Sequence, residues 1–123
     1  MKRNDIGKCA SGMTVEILRD SDCSLVCCGE PVDILEAKTS GAGAEKHVPV
    51  LKEIAGGVVV VVGAVEHPMT EDHYIEWIEV LNGDYVNRKY LKPGDDPKAA
   101  FYVPTQKGLI VRAYCNQHGL WRG

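Results

Sequence analysis

The chain has no cluster of basic residues. Its 14 Lys and Arg are outnumbered by 17 Asp and Glu, giving a net charge of −3 and a pI near 5.8. Nucleic acid and anionic membranes both require a concentrated positive face, so neither is expected as a partner. Long apolar runs are missing too. The longest uninterrupted aliphatic stretch, Val58 to Val62, is far too short to span a bilayer, and Met1-Lys2-Arg3-Asn4-Asp5 has no apolar signal core. The expected compartment is the cytoplasm. No stretch sustains a helical period, and histidine is scarce, with four residues at 47, 67, 73 and 118. What remains is an ordinary globular composition, 45% hydrophobic and 25% charged over 123 residues, enough for one sizeable core and a small appended module.

Five cysteines, at 9, 23, 27, 28 and 115, make an odd number. Without a signal sequence, and with Cys27 and Cys28 adjacent, metal ligation is a better reading than disulfide bonding. Residues 1–36 hold four of the five, with short β-like pieces at Thr14 to Leu18 and Ser24 to Val26 around the polar turn Arg19-Asp20-Ser21-Asp22. So few large apolar residues cannot form an independent core, and the segment needs a metal, a partner or a neighbouring domain. Residues 37–44, Ala-Lys-Thr-Ser-Gly-Ala-Gly-Ala, read as a linker or mobile loop.

From Glu45 onward the pattern is all-β. Strands are expected near 47–54, 58–65, 74–81, 84–91, 98–103 and 108–114, each rich in Val, Ile, Tyr or Trp and bounded by Gly, Pro or Asn. Asn82-Gly83 predicts a tight type I′ hairpin, and Lys92-Pro93-Gly94-Asp95-Asp96-Pro97 a second turn. Regularly spaced short strands of this kind give an immunoglobulin-like β-sandwich. By two-residue alternation Ile75 and Trp77 share a face with His73, and Glu76 and Glu79 are expected toward solvent. Trp77 and Trp121 read as core and pocket wall.

The stretch richest in chemistry is Tyr114-Cys115-Asn116-Gln117-His118-Gly119-Leu120-Trp121, which follows an apolar strand-like run. A thiolate and an imidazole three residues apart across a turn form a metal-binding corner. His47, His67 and His73 also stand at strand boundaries, where a sandwich can bring them to one edge beside Cys115 and His118. Each His alone reads as a surface or hydrogen-bonded residue; together with the Cys-x-x-His they make one shared site. Four imidazoles and a thiolate are one ligand too many for tetrahedral zinc, and they suit a five-coordinate iron with one open position.

The segments Glu45-Lys46-His47-Val48-Pro49-Val50, Val65-Glu66-His67-Pro68-Met69, His73-Tyr74-Ile75-Glu76-Trp77-Ile78-Glu79, Leu91-Lys92-Pro93-Gly94-Asp95 and Tyr114 to Trp121 resemble those of the superoxide reductase family, desulfoferrodoxin and neelaredoxin. The resemblance runs from Glu45 to the end, with the motifs in order. It implies one mononuclear iron per chain, with His47, His67, His73 and His118 equatorial, Cys115 axial, and one-electron reduction of superoxide to hydrogen peroxide at the open position. It also implies an electron donor such as rubredoxin and a homodimer or homotetramer. By the same resemblance Lys46 would steer superoxide and help deliver protons, and Glu45 would be a sixth ligand of the oxidised iron. Two-iron members begin with a desulforedoxin-like β domain holding a second iron by Cys-x-x-Cys and a later Cys-Cys. Cys9 and Cys27-Cys28 match that pattern, but where the second Cys belongs the chain reads Cys9-Ala10-Ser11-Gly12. Cys23 is an extra thiol from a different turn. The expectation is a module that keeps its fold without the rubredoxin-like iron.

Overall fold

The computed structural model describes residues 1–123, which fall into two compact units, Met1–Glu36 and Ala37–Gly123. No helix is long and apolar enough to cross a membrane.

The smaller unit is built from five very short strands. They are β1 (Ile6–Lys8), β2 (Thr14–Glu16), β3 (Val26–Cys27), β4 (Glu30–Pro31) and β5 (Asp33–Ile34). They form a β2-β1-β5 sheet and a β3-β4 hairpin. Gly7 stands at the centre of the sheet because a Cβ there would lie 2.7 Å from the Val32 side chain. In the hairpin Cys27 pairs with Glu30, leaving Cys28 and Gly29 as a two-residue turn with φ of 52° and 79°. Two successive positive φ values mark a type I′ turn, an unusual place for a cysteine.

The larger unit begins with one helical turn, α1 (Ala44–His47). Seven strands follow: β6 (Pro49–Ile54), β7 (Gly57–Val62), β8 (Ile75–Asn82), β9 (Tyr85–Tyr90), β10 (Lys98–Phe101), β11 (Ile110–Cys115) and β12 (Gly119–Arg122). They make two antiparallel sheets, β10-β7-β6 and β12-β11-β8-β9. Val58, Val60 and Val62 of one sheet and Ile78, Val80, Val111 and Ala113 of the other share a single core with Leu91, Phe101 and Val103. This is the all-β sandwich that the strand pattern implied.

The details differ from the sequence reading in four places. The strand expected from residue 47 starts at Pro49, because His47 closes α1, whose Val48 N–H bonds the Ala44 carbonyl. The β8–β9 hairpin pairs Asn82 with Tyr85, so its turn residues are Gly83 and Asp84, and only Gly83 has positive φ (59°). That is the φ signature of type II′, not I′. A seventh strand, β12, returns from the Cys-x-x-His turn, and Lys38 of the stretch read as a linker forms a parallel bridge with its Trp121.

The fourth difference concerns β8. Tyr114 of β11 faces Trp77 while Cys115 faces Ile75, so Glu76 is an extra residue in the ladder. This bulge shifts the alternation by one. Ile75 and Ile78 both enter the core, whereas Trp77 and Glu79 share the other face. Trp77 is therefore not on the face of Ile75, and it stacks on Tyr114 at 5.8 Å. Nor does Glu79 face solvent. It is 0% exposed and lies between Arg88 of β9 and Arg112 of β11, its two cross-strand neighbours. Arg88 donates to its Oε2 from Nε (3.0 Å) and Nη2 (2.5 Å), and Arg112 donates to Oε1 from Nε (2.5 Å). Two guanidinium groups on one carboxylate compensate the cost of burying its charge.

Candidate metal centre

Four separate segments bring side chains to one end of the sandwich. His47 ends α1, His67 lies in the loop after β7, His73 precedes β8, and Cys115 and His118 flank the β11–β12 turn. Each is fixed by a local device.

α1 starts from Gly43 in the left-handed region (φ 82°), and the carbonyl of Gly43 meets Nδ1 of His47 at 2.8 Å. Gly63 lets the His67 loop lie directly on α1, since a Cβ there would sit 2.6 Å from the Glu45 carbonyl oxygen. Val65 N–H donates to that same oxygen (2.8 Å), and His67 N–H to the Val62 carbonyl. His73 is held by reciprocal backbone bonds with Thr70.

The two residues inside the Cys-x-x-His spacing have their own work. The Asn116 side chain accepts from Tyr74 N–H (3.0 Å) and donates to the Asp72 carbonyl (3.1 Å), to which Gln117 also donates (2.6 Å). They tie the turn that carries Cys115 and His118 to the segment that carries His73. Gly119, with φ 81°, closes the turn so that β12 can return.

The donor atoms converge. Those of His47, His67, His73 and Cys115 all lie within 4.8 Å of one another. His118 joins them through Nδ1, 3.2 Å from Nε2 of His73 and 3.7 Å from Cys115 Sγ. Around the ring 47, 67, 73, 118 the imidazole centroids are separated by 4.6, 4.6, 4.9 and 4.8 Å, with neighbouring planes nearly perpendicular. His47 and His73 stand across the ring at 6.0 Å. Four imidazoles thus form a near-square, and the thiol of Cys115, a 0% exposed member of the core, lies beside it.

The protonation pattern shows what this square fits. Nδ1 of His47 faces the Gly43 carbonyl, and Nδ1 of His67 faces the Pro68 carbonyl at 2.6 Å. A carbonyl oxygen can only accept, so both Nδ1 atoms carry the proton and both Nε2 atoms carry a lone pair. Those two Nε2 atoms are 3.1 Å apart. Neither can donate to the other, and the facing lone pairs call for a cation between them. Two neighbouring nitrogens each about 2.1 Å from one ion at a right angle would be separated by about 3.0 Å, so the spacing suits metal coordination. The carbonyl partners of His47 and His67 are the orienting contacts expected of metal-binding imidazoles.

The electrostatics agree. Burial lowers the pKa of His47 and His73 and takes His67 to about 4, so these rings are neutral and able to ligate near neutral pH. Burial pushes the Cys115 thiol up, opposed by the backbone N–H groups of Gln117 and His118. In that setting a metal cation favours loss of its proton. Trp121 stacks on His47 at 4.8 Å and 22°, forming the pocket wall anticipated from sequence.

Glu45 and Lys46 occupy α1 immediately before His47, and both are exposed. The Lys46 charge is close enough to contribute to the lowered pKa of His73. In the smaller unit Cys9 is buried, Cys27 half-buried, and Cys23 and Cys28 exposed. The Cys27 thiol is pushed up, first by hydrogen bonding with Cys9. Sequence reasoning missed Gly43, Gly63, Asn116 and Gln117. The two amides were visible as the only residues between two candidate ligands, and Gly43 as a glycine one turn before His47.

Comparison with known proteins gives a consistent picture. The Desulfoferrodoxin family model matches residues 39–123. A desulfoferrodoxin homolog of Archaeoglobus fulgidus is 52% identical over 111 residues, covering 90% of this chain and 88% of that one. A desulfoferrodoxin of Nitratidesulfovibrio vulgaris is 46% identical over 119 residues, 96% and 94% of the two chains. Among solved structures, a superoxide reductase from Treponema pallidum matches with a TM-score of 0.77 at 25% identity, covering 97% of this chain and 95% of that one.

Proposed function

The chain belongs to the desulfoferrodoxin family, and from that premise we propose that it is a superoxide reductase, which consumes one electron and two protons per superoxide and releases one hydrogen peroxide. The family and the His/Cys donor group give one mononuclear iron per chain. The observation that carries the reading is the donor set: four imidazoles in a near-square with one thiol beside them. His47, His67, His73, His118 and Cys115 would hold the iron. When bound, the iron would supply the electron and bind the anion, and the Cys115 thiolate would add electron density to it.

The remaining roles fall to the protein. Neutral imidazoles leave a ferrous centre positively charged, which attracts an anionic substrate. Lys46 is assigned to steering superoxide and to relaying a proton toward it, as a flexible ammonium next to His47 can do. Glu45 is assigned as the carboxylate that takes the open position in the oxidised protein and so competes with product. Cys115 lies in the core and His118 at the surface, so solvent reaches the cluster from the imidazole side. The electron donor is assigned as a small one-electron carrier such as rubredoxin, and the working assembly as a homodimer or homotetramer. Met1–Glu36 is assigned as a desulforedoxin-like module that keeps its fold without its own iron.

The test is stoichiometric. With reductant supplied, the reductase produces one peroxide for each superoxide consumed; dismutation would produce one for every two and would release oxygen. Iron analysis giving two atoms per chain would overturn the assignment of the smaller unit.

A further inference from the structure

One cation beside the cluster has no part in the reading above. Lys38 lies one residue before the stretch that the family model matches. Its backbone brackets Trp121: Lys38 N–H donates to the Leu120 carbonyl (3.0 Å), and Arg122 N–H donates to the Lys38 carbonyl (3.0 Å). That pairing holds its side chain over the indole, with Nζ 5.1 Å from the ring centroid. From there the ammonium donates to the His118 carbonyl at 3.0 Å, and the Trp121 indole N–H donates to the same oxygen at 3.2 Å.

Two donors on one carbonyl constrain the residue that owns it. His118 is the one imidazole of the four that offers Nδ1 to the cluster, and it lies in an exposed turn, so its orientation depends on such contacts. Trp121 also stacks on His47. Lys38 therefore touches the backbone of one candidate ligand and the aromatic wall of another.

We propose that Lys38 is a positioning residue of the metal centre: with Trp121 it clamps the His118 carbonyl so that Nδ1 faces the metal, and its positive charge, held beside the cluster, raises the reduction potential of bound iron. This rests on the reading of the five residues as iron ligands. A cation near the centre stabilises the reduced state, which carries one less positive charge. Lys38 makes the centre easier to reduce and slower to lose its metal.

The experiment uses the full-length, iron-loaded protein and three readouts: the thiolate-to-iron absorption band of the oxidised state, the reduction potential, and the rate of iron release to a chelator. Lys38→Met is expected to shift the band, lower the potential and speed iron release about tenfold, the scale seen when contacts behind metal ligands are removed. Lys38→Arg, which keeps both charge and donors, is expected to restore all three toward the parent values. In the unmodified protein, added salt should lower the potential, since it screens an exposed ammonium; this readout needs no variant to fold. A Lys38→Met protein whose band and potential equal those of the parent overturns the role of Lys38 and leaves the metal centre standing. A parent protein with no thiolate-to-iron band overturns the metal centre itself.

Discussion

The molecule has two hairpins that end in cysteine, and they differ in what stands behind them. In the smaller unit Cys27 ends a strand of two residues and Cys28 begins the turn that joins it to another strand of two residues. In the larger unit Cys115 ends a six-residue strand that is paired on both sides, and the turn after it is tied to Asp72 and Tyr74 by the side chains of Asn116 and Gln117. The second arrangement fixes donor positions before any metal arrives; the first leaves Cys28 exposed at a turn. Pre-organised donors lose less conformational entropy on binding. On this contrast the scaffold behind the thiols, and not their spacing alone, is expected to decide which hairpin holds a metal.

The largest test of that contrast is Cys115→Ser. It should abolish the thiolate-to-iron absorption and most of the proposed superoxide reductase activity, while Cys28→Ser leaves both in place; absorption spectra of the two iron-loaded variants decide it. A similar loss in both would make the two hairpins one functional unit.

Next comes Gly63→Ala. The new Cβ would press on the Glu45 carbonyl oxygen, and either the loop carrying His67 or the turn carrying His47 must move. Overpacking of this kind costs about 1–3 kcal/mol, so the melting temperature should fall by several degrees and iron binding should weaken with it. Gly56→Ala, at a turn where a Cβ meets nothing but φ is 81°, serves as the backbone-strain control.

Asn116→Ala removes the strap between the Cys115 turn and His73. Metal affinity should drop about 10- to 100-fold with little change in the β-sheet signal by circular dichroism. Competition with a chelator measures the first, and unchanged affinity would mean that the turn is held by its backbone alone.

Acid gives a smaller effect, and its sign is determined. The unfolded chain takes up a proton at His67 near pH 6.5, but the folded protein resists until about pH 4. Between those values the unfolded state binds more protons, so the stability of the metal-free protein should fall as pH drops from 6.5 toward 4. Chemical denaturation across that range checks it. Bound metal should hold stability up further into acid, because protons and metal compete for the same nitrogens.

The smallest effect is expected from Cys23→Ser, which changes an exposed side chain in the smaller unit. Iron content and spectrum should be unaltered, and any loss of iron would bring that unit into metal binding.

All six strands expected after Glu45 are present, and the meeting of His47, His67, His73, Cys115 and His118 at one place was legible from type and spacing. His47, His73, Cys115 and His118 stand at or within two residues of a strand end, and such boundaries follow from local chemistry; His67 lies within the loop between β7 and β8. Glu79 could not be placed that way. Strict alternation put it in solvent, but the bulge at Glu76 turned it under two arginines of neighbouring strands. A bulge is set by the pairing partner, which in this ladder lies 37 to 40 residues further along (Tyr114 against Trp77, Cys115 against Ile75). The hairpin at Asn82 slipped by one residue for the same reason, since the register of β8 on β9 is chosen by both strands together. The choice of Nδ1 in His118 belongs here as well. Sequence by itself determined which residue types could bind a metal and where the chain would turn. Tertiary structure alone decided which ring nitrogen faces inward, which carbonyl holds each imidazole, and that Lys38 reaches His118, because those depend on strands and loops distant in sequence meeting at fixed register.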